Sequence, residues 1–394
     1  MNKLLVLVPD YISHILVKGE YQPRYYNPGE VFDEVHILTT MPDRPDLTAL
    51  QPTVGRARLF FHALPEDTRM AGRPWRLFDD YLLRRWAEPG IEIAREIGPA
   101  LIRCHGADWN TYLASRINTV LGVPYVVSLH INPDVNPTRR FLTNPLDRGQ
   151  RRQNELFEVL ERKGLERADL VMPVYTPVVP YLDRMGVTRY EVCYNVLNGD
   201  QLRKKESYAL GPAFRVLCVG RLFDAKHPDN IVRAVGAIPG AELTIVGDGP
   251  AREPLQSLVG ELGLTGRVHF LPAVPNNELC AMMPEFDVFA IHSEYWELNK
   301  SLLEALLTGL PCVVSRRKGL AVPELVGDFI LKVDNTEAAY AEVLTRLRGD
   351  AALRESVGRR AYDHAQENWA PEKTEAKFAK IYRDTMKRGL HSAE

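Results

Sequence analysis

Short, continuously apolar runs alternate along the chain with longer stretches whose apolar residues recur every three or four positions. Runs at 4–8, 35–38, 59–63, 101–104, 125–129, 170–174 and 192–194 make a first series. Runs at 215–219, 243–246, 268–271, 288–291, 312–314 and 329–333 make a second. Runs that are apolar throughout, rather than alternating, predict strands covered on both faces, hence parallel sheets flanked by helices. Residues 229–237, 252–262, 298–307 and 337–347 carry the helical period. Gly309-Leu310-Pro311 closes one of these helices, and Asn335-Thr336 can cap the start of another. A last helix is predicted at 372–387, with Phe378 and Tyr382 on one stripe.

Residues 198–212, NGDQLRKKESYALGP, are polar, carry Gly near both ends and separate the two series. Each series opens on the same kind of strand, LLVLV and then RVLCV. The expected architecture is α/β, with two doubly wound domains at 1–200 and 201–371 and a cleft between them, and with the helical segment 372–394 crossing back to the first. A length of 394 residues agrees, because a single core stops growing at roughly 250–300 residues.

Charge and cysteine usage narrow the classes. Forty-nine Lys and Arg against 51 Asp and Glu leave a formal charge of −2, so no global basic excess points to nucleic acid. Five dispersed cysteines without a CxxC speak against structural zinc and for a reducing compartment. The run at 4–8 is stopped by Pro9-Asp10, too short for a signal-peptide core, and no run is long enough to span a bilayer. A cytoplasmic protein is the expectation. Arg139, Arg140, Arg148, Arg151 and Arg152 concentrate positive charge ahead of a helix with Leu156, Phe157 and Leu160. A solvated helix face is favoured there over peripheral contact with an anionic membrane.

Candidate chemistry concentrates in the second series. In VGRLFDAKHPDNIVRAV, Gly220 ends a strand, and Arg221 and Lys226 lie in the loop before a helix that begins near Pro228. Ligands of open parallel sheets sit at the carboxyl ends of strands, beside helix N-termini. Two cations there suit a diphosphate, or they are two solvated surface charges. In TIVGDGP, Gly247, Asp248 and Gly249 permit a tight turn or a close backbone approach to a ligand. The GxGxxG dinucleotide fingerprint is absent from both opening strands. In HSEYWELNKSLLEALLTGLPCVVS, a strand runs into His292, Ser293, Glu294, Glu297, Asn299 and Lys300, and a helix follows with Glu304 among leucines and alanine. A partly desolvated Glu304 can accept two hydroxyls of a sugar diol; the alternative is an exposed Glu on an amphipathic helix.

VGRL with Lys226, VGDGP, VHFLPAV, LLEALLTGLPCVVS and PELVGD follow one another in that order. Over about residues 214–334 this resembles the donor-binding domain of retaining GT-B glycosyltransferases of family 4, the glycosyltransferase group 1 domain. The resemblance implies two facing Rossmann-like domains, a nucleotide-diphosphate sugar held mainly by the C-terminal one and an acceptor by the N-terminal one. It also implies no required metal or other cofactor, the nucleotide sugar being a substrate; no DxD occurs in the chain. Carried over residue by residue, it puts Arg221 and Lys226 on the diphosphate, with Gly220 and Gly249 in the turns beside it. Glu304 falls on the ribose hydroxyls as the second Glu of a Glu-x7-Glu motif, and Leu271 to Val274 fall along the base.

The position of the first motif Glu holds Trp296. Glu294 and Glu297 are the candidate replacements, and Asn299, Lys300 and Ser301 occupy the turn next to sugar or phosphate in the resembled family. In the first half, LIRCHGADWNTYLASRINTVLGVPYVVSLHINPD resembles the family's acceptor domain. His130 matches a histidine beside the reacting sugar carbon, and His105 and Asp108 are acceptor-side candidates. The Gly-Gly pair frequent after the first strand is missing, with Gly19 nearby instead. Tyr21, Arg24, Tyr25 and Tyr26 line an acceptor pocket or pack on the surface, the latter being favoured. The implied activity is retaining, metal-independent transfer of a hexosyl group, UDP-linked by default, to the hydroxyl of an unidentified acceptor. A GT-B UDP-sugar epimerase and, because of Trp296, a non-catalytic sugar-nucleotide binder are the alternatives.

Overall fold

Among the residues described by the computed structural model (1–17, 21–66, 81–135, 148–294, 297–316 and 322–391), two six-stranded, wholly parallel sheets form. Gly19, Arg139, Arg140 and Trp296 lie outside the described residues. The first sheet contains β1 (Lys3–Val8), β2 (Glu34–Thr39), β3 (Arg58–Ala63), β4 (Leu101–His105), β5 (Tyr125–Leu129) and β6 (Leu170–Pro173), in the order β3-β2-β1-β4-β5-β6. The second contains β7 (Phe214–Val219), β8 (Ala241–Val246), β9 (Val268–Leu271), β10 (Val288–Ile291), β11 (Cys312–Ser315) and β12 (Leu331–Val333), in the order β12-β11-β10-β7-β8-β9. Both orders are the doubly wound one, in which the opening strand of each series lies at the centre between its second and fourth strands. In the first sheet β4 and β5 are buried throughout and β1 from Leu4 onward, as their unbroken apolar runs require, whereas the edge strand β3 keeps Arg58, Phe60 and Ala63 exposed.

Residues 192–194 depart from the strand expected there. Glu191 N–H and Cys193 N–H donate to the Val171 and Pro173 carbonyls at 3.0 and 2.9 Å, but among the described residues the bridge formed along this edge is Val171 with Tyr190 alone. The Val192 carbonyl is taken by Lys377 Nζ at 2.7 Å instead of by a further strand. The last strand of the second sheet is also shorter than 329–333, beginning at Leu331.

The chain divides into two compact units, Met1–Val196 with Thr374–Glu394, and Leu197–Lys373. In the first, Leu4, Val6, Leu101, Val126 and Met172 of one sheet face pack with Phe378, Ile381 and Tyr382 of the C-terminal helix Pro371–His391. Glu375 holds that helix by accepting from Arg24 Nε at 2.7 Å, Arg24 Nη2 at 3.2 Å and Gly29 N–H at 2.9 Å. Within the helix Arg148–Leu165, Leu156 and Leu160 are buried while Arg151 and Arg152 are exposed, so the apolar side faces the protein. Among the described residues no helix is long and apolar enough to cross a membrane.

In the second unit, Val216, Leu243, Ile245, Val288, Ala290 and Val313 form the sheet side of the core. Helices Asp229–Ala237, Arg252–Glu261 and Glu337–Gly349 cover it with Ile231, Leu255 and Leu344. The polar stretch expected to separate the domains is no free tether. Lys205 is buried with its Nζ on the Pro284 carbonyl at 2.8 Å, and buried Tyr208 donates to the Gly309 carbonyl at 2.8 Å. Both bonds tie residues 205–208 into the second unit, which begins at Leu197.

The role of the last helix is measurable. Phe378 is buried among sheet residues and lies 5.0 Å from the Arg103 guanidinium. Phe378→Ala is expected to cost about 3–4 kcal/mol of unfolding free energy in urea titration; a loss under about 1 kcal/mol would contradict its place in this core.

Candidate active site

In the second sheet the winding reverses between β7 and β10, the place at which parallel sheets of this kind have their ligand crevice, outside the carboxyl ends of the strands. The loop after β7 is held by backbone contact with the loop after β8. Gly220 N–H donates to the Val246 carbonyl at 3.0 Å, and Leu222 N–H to the Asp248 carbonyl at 2.9 Å. This approach requires glycine at two places. Gly247 and Gly249 have φ of +143° and +149°, and a Cβ on either would lie 2.0 Å from the Gly220 oxygen or 2.1 Å from the Leu222 oxygen. Gly249 therefore serves by letting the two loops meet. Asp248 extends the same tie to the third loop, accepting from Ala273 N–H at 2.9 Å and from Arg252 Nη1 at 2.7 Å.

On this support Arg221 is exposed, its guanidinium over the Phe223 ring at 5.5 Å, and it makes no ion pair among the described residues. Lys226 ends a 3-10 turn, Asp224–Lys226, and is drawn inward to an ion pair with Glu297, with side-chain exposures of 13% and 15%. Ser293 Oγ donates to Glu297 Oε1 at 3.2 Å. Of the two candidate glutamates, then, Glu297 meets the cation. The Glu294 backbone N–H donates to the Ala225 carbonyl at 2.8 Å while its side chain is exposed.

The helix Lys300–Thr308 begins immediately beyond. Its N-cap Asn299 makes no side-chain cap bond, its buried Oδ1 has no partner among the described residues, and no acidic residue occupies the first turn. The start of this helix is therefore a positive pole whose first N–H groups lack helical acceptors. Ser301 Oγ donates to the Val219 carbonyl at 3.4 Å, fixing that pole to the end of β7. One turn in, Glu304 is only 2% exposed, accepts from Asn276 Nδ2 at 2.8 Å and lies 3.8 Å from Lys300 Nζ. Burial raises its pKa above the usual glutamate range, against the opposing pull of Lys300 and Asn276. Asn276 opens the helix Asn276–Met282 directly after the half-buried Leu271 and Val274, so Glu304 and that segment are brought together.

Sequence reasoning missed a supporting chain of side chains. Asn335 Nδ2 donates to His292 Nε2 at 3.2 Å, which leaves the imidazole proton on Nδ1, 2.9 Å from Ser315 Oγ. Asn230 Nδ2 donates to the Asn335 carbonyl at 3.0 Å. The ends of β10 and β11, the loop after β12 and the helix after β7 are thus pinned to one another behind Ser293. Only the polar density after β10 hinted at this; nothing local marks Asn230 or Asn276, and Asn335 read only as part of a helix cap.

In the first unit, His105 ends β4 at the corresponding reversal, and His130 follows β5. Their rings stack 5.5 Å apart at 9°, and both Nε2 atoms are buried without a partner among the described residues. Burial, with the nearby Arg103 charge, pushes the His130 pKa down to about 4 and that of His105 well below the ordinary histidine range. Both imidazoles are neutral at pH 7. Asp108 is engaged elsewhere: it caps the helix Trp109–Leu121, its Oδ1 accepting from Trp109 N–H at 2.9 Å in a capping box with Thr111. The aromatic segment is not surface packing as expected. Tyr26 is 1% exposed, and Tyr25 and Tyr26 lie 5.3 and 5.1 Å from the His105 ring, because the Arg24–Glu375 pair draws the segment against the C-terminal helix.

Residues 200–364 match the family described as glycosyl transferases group 1, and residues 31–195 match the glycosyl transferase 4-like domain. The chain belongs to the family 4 glycosyltransferases. The 2-deoxystreptamine glucosyltransferase of Streptomyces kanamyceticus is 28% identical over 286 residues, 66% of this chain and 71% of that one. The 2-deoxystreptamine N-acetyl-D-glucosaminyltransferase of Streptomyces fradiae is 29% identical over 64% of this chain and 62% of its own. The architecture of this glycosyltransferase is GT-B. Sucrose-phosphate synthase from Thermosynechococcus elongatus superposes with a TM-score of 0.71 at 17% identity, covering 100% of both chains. HepE of Anabaena in complex with UDP-glucose does so with 0.71 at 16% identity, over 98% of this chain and 100% of that one.

The neutral histidines give this glycosyltransferase an acid-sensitive fold. Between pH about 6.5 and about 4 an unfolded chain binds a proton that folded His130 refuses, so stability falls as pH falls through that window. Measured by urea unfolding near pH 7.5 and near pH 5, His130→Gln is expected to lose about 2 kcal/mol less than the parent protein. Equal losses would mean that His130 titrates alike in both states.

Proposed function

We propose that this glycosyltransferase moves a hexosyl group from a nucleotide-diphosphate sugar to an acceptor hydroxyl, with retention at the anomeric carbon. The observation that carries this reading is the arrangement at the β7/β10 crevice: Lys226 and the N-terminal pole of Lys300–Thr308 on one side, buried Glu304 beside Asn276 on the other. A diphosphate suits the former and a ribose diol the latter. The cationic side chains and the helix pole supply the positive charge the leaving group needs, which is why a metal-independent reaction is inferred. UDP is the nucleotide favoured, since the Anabaena neighbour is described with UDP-glucose and the Streptomyces relatives are named for glucosyl and N-acetylglucosaminyl transfer.

In this reaction the bond from the anomeric carbon to the diphosphate oxygen breaks, and the acceptor oxygen bonds to the same face of that carbon. The acceptor proton passes to an oxygen of the departing diphosphate, so no side chain need be the base. Arg221 and Lys226 stabilise the charge that develops on that diphosphate. His130, neutral at the working pH, is assigned to the sugar as a hydrogen-bonding group and not as a proton-transfer catalyst.

The test is turnover of a panel of nucleotide sugars, with acceptors screened against the best donor. Arg221→Ala and Lys226→Ala are each expected to lower turnover by about 10²- to 10³-fold with the fold intact by far-UV circular dichroism. Parent-like turnover in both would remove them from the site, and donor-only formation of an epimeric sugar nucleotide would replace transfer by epimerisation.

A further inference from the structure

Arg103 is a charge for which the proposed reaction has no use. It lies in the middle of β4, on the sheet face that the C-terminal helix covers, and is only 2% exposed. A cation in such a place is costly unless a carboxylate compensates it. Among the described residues Arg103 forms no ion pair, and its Nε has no hydrogen-bond partner. The guanidinium is surrounded by aromatic rings instead: Phe378 at 5.0 Å and Tyr382 at 5.9 Å from the C-terminal helix, and Tyr25 at 5.8 Å. Its Nη1 donates to the Tyr25 carbonyl at 2.9 Å.

The same tyrosine leads to the histidines. The Tyr25 ring lies 5.3 Å from His105, which is two residues beyond Arg103 on the same face of β4, and His105 stacks on His130. Other titratable groups facing this row are Tyr21, Tyr25 and Tyr26 of the aromatic segment, Tyr382 of the C-terminal helix, and Cys193. Burial raises the pKa of Tyr26 and lifts those of Tyr382 and Cys193 to about 12, so these three are neutral. Arg103 is therefore the fixed charge of the row. After burial itself, it is the largest influence against a proton on either histidine.

We infer that Arg103 is a positioning residue of this transferase, an internal cation that fixes the His105–His130 stack through Tyr25 and through its own charge. This rests on the reading of His130 as a group beside the transferred sugar. As the diphosphate departs, the anomeric carbon gains positive charge, and an imidazolium next to it would oppose that gain. Two stacked imidazolium rings would also repel each other. A carboxylate in the place of Arg103 would draw protons onto both rings, whereas a cation turns them away. The uncompensated charge thus has a function at the end of its own strand.

Arg103→Met and Arg103→Lys test this in the full chain. Carbon-13-labelled histidines are followed by NMR from near pH 8 to near pH 4.5, with His105→Gln and His130→Gln assigning the signals. Methionine fills the aromatic surroundings without a charge, so the melting temperature is expected to be held or raised. His130 should nevertheless protonate with a midpoint near pH 5 in place of about 4. The acid limb of turnover, read with the best donor and acceptor of the parent, should move up by the same amount. Arg103→Lys keeps the charge and should keep the parent's midpoint and acid limb. Loss of folding in Arg103→Met, or a parent-like midpoint in it, makes Arg103 a purely structural residue and overturns the inference. An equal displacement in Arg103→Lys overturns it too, by tracing the effect to packing. A displaced midpoint with an unmoved acid limb cuts the link to the sugar, overturning the inference while the transferase reading stands. Absence of turnover by the parent with every nucleotide sugar overturns that reading, and the inference with it.

Discussion

The carbonyl oxygens of Gly220 and Leu222 occupy the places that side-chain carbons on Gly247 and Gly249 would need, and everything charged in the second unit's crevice depends on that exclusion. The loop bearing Arg221 and Lys226 has a short turn of its own and, among the described residues, three backbone bonds to its neighbour, from Gly220 and Leu222 N–H and from Ala251 N–H to the Leu222 carbonyl. With the glycines absent the loops would have to separate, since backbone oxygens cannot move aside as a flexible side chain would. Asp248 between the glycines carries the restraint on to Ala273 and so to the segment leading to Asn276 and Glu304. Three loops are thus set by one steric requirement.

On that frame the electrostatics divide by depth. Arg221 is in solvent, where a charge costs little to keep and contributes little until something binds. Lys226 and Glu297 are intermediate and compensate each other. Glu304 is the deepest, and a carboxylate so far from water persists only with partners, here Asn276 and Lys300. The first unit uses the opposite device: burial keeps His105 and His130 uncharged, and the rings stack face to face without the repulsion two imidazolium ions would bring.

The strands were legible because an unbroken apolar run buried on both faces has few other uses. Residues 192–194 had the same run but not the same fate, since Lys377, some 180 positions away, takes the carbonyl that a ladder needs. Glycine spacing after β8 was visible, but its purpose was not, because the atoms it accommodates belong to Gly220 and Leu222 in another loop. The choice between Glu294 and Glu297 was likewise open, as neighbours three apart in a loop have no periodicity to separate them. Asp108 read as a site residue because a carboxylate after a strand and before a helix looks the same whether it caps or binds. The pairing of Asn276 with Glu304 and the chain from Asn230 through Asn335 to His292 left no local trace.

The first unit is discontinuous, lacking part of its interior until residues Thr374–Glu394 are added, whereas Leu197–Lys373 is one uninterrupted segment. A ribosome delivers these in the order of the chain. The half synthesised first must wait, with the sheet face meant for Phe378 and Tyr382 uncovered, while the half synthesised second already has all of its parts. The enzyme's amino-terminal half is therefore the last to be finished, and a stop codon directly after Lys373 leaves a protein whose later-made half is whole and whose earlier-made half is not.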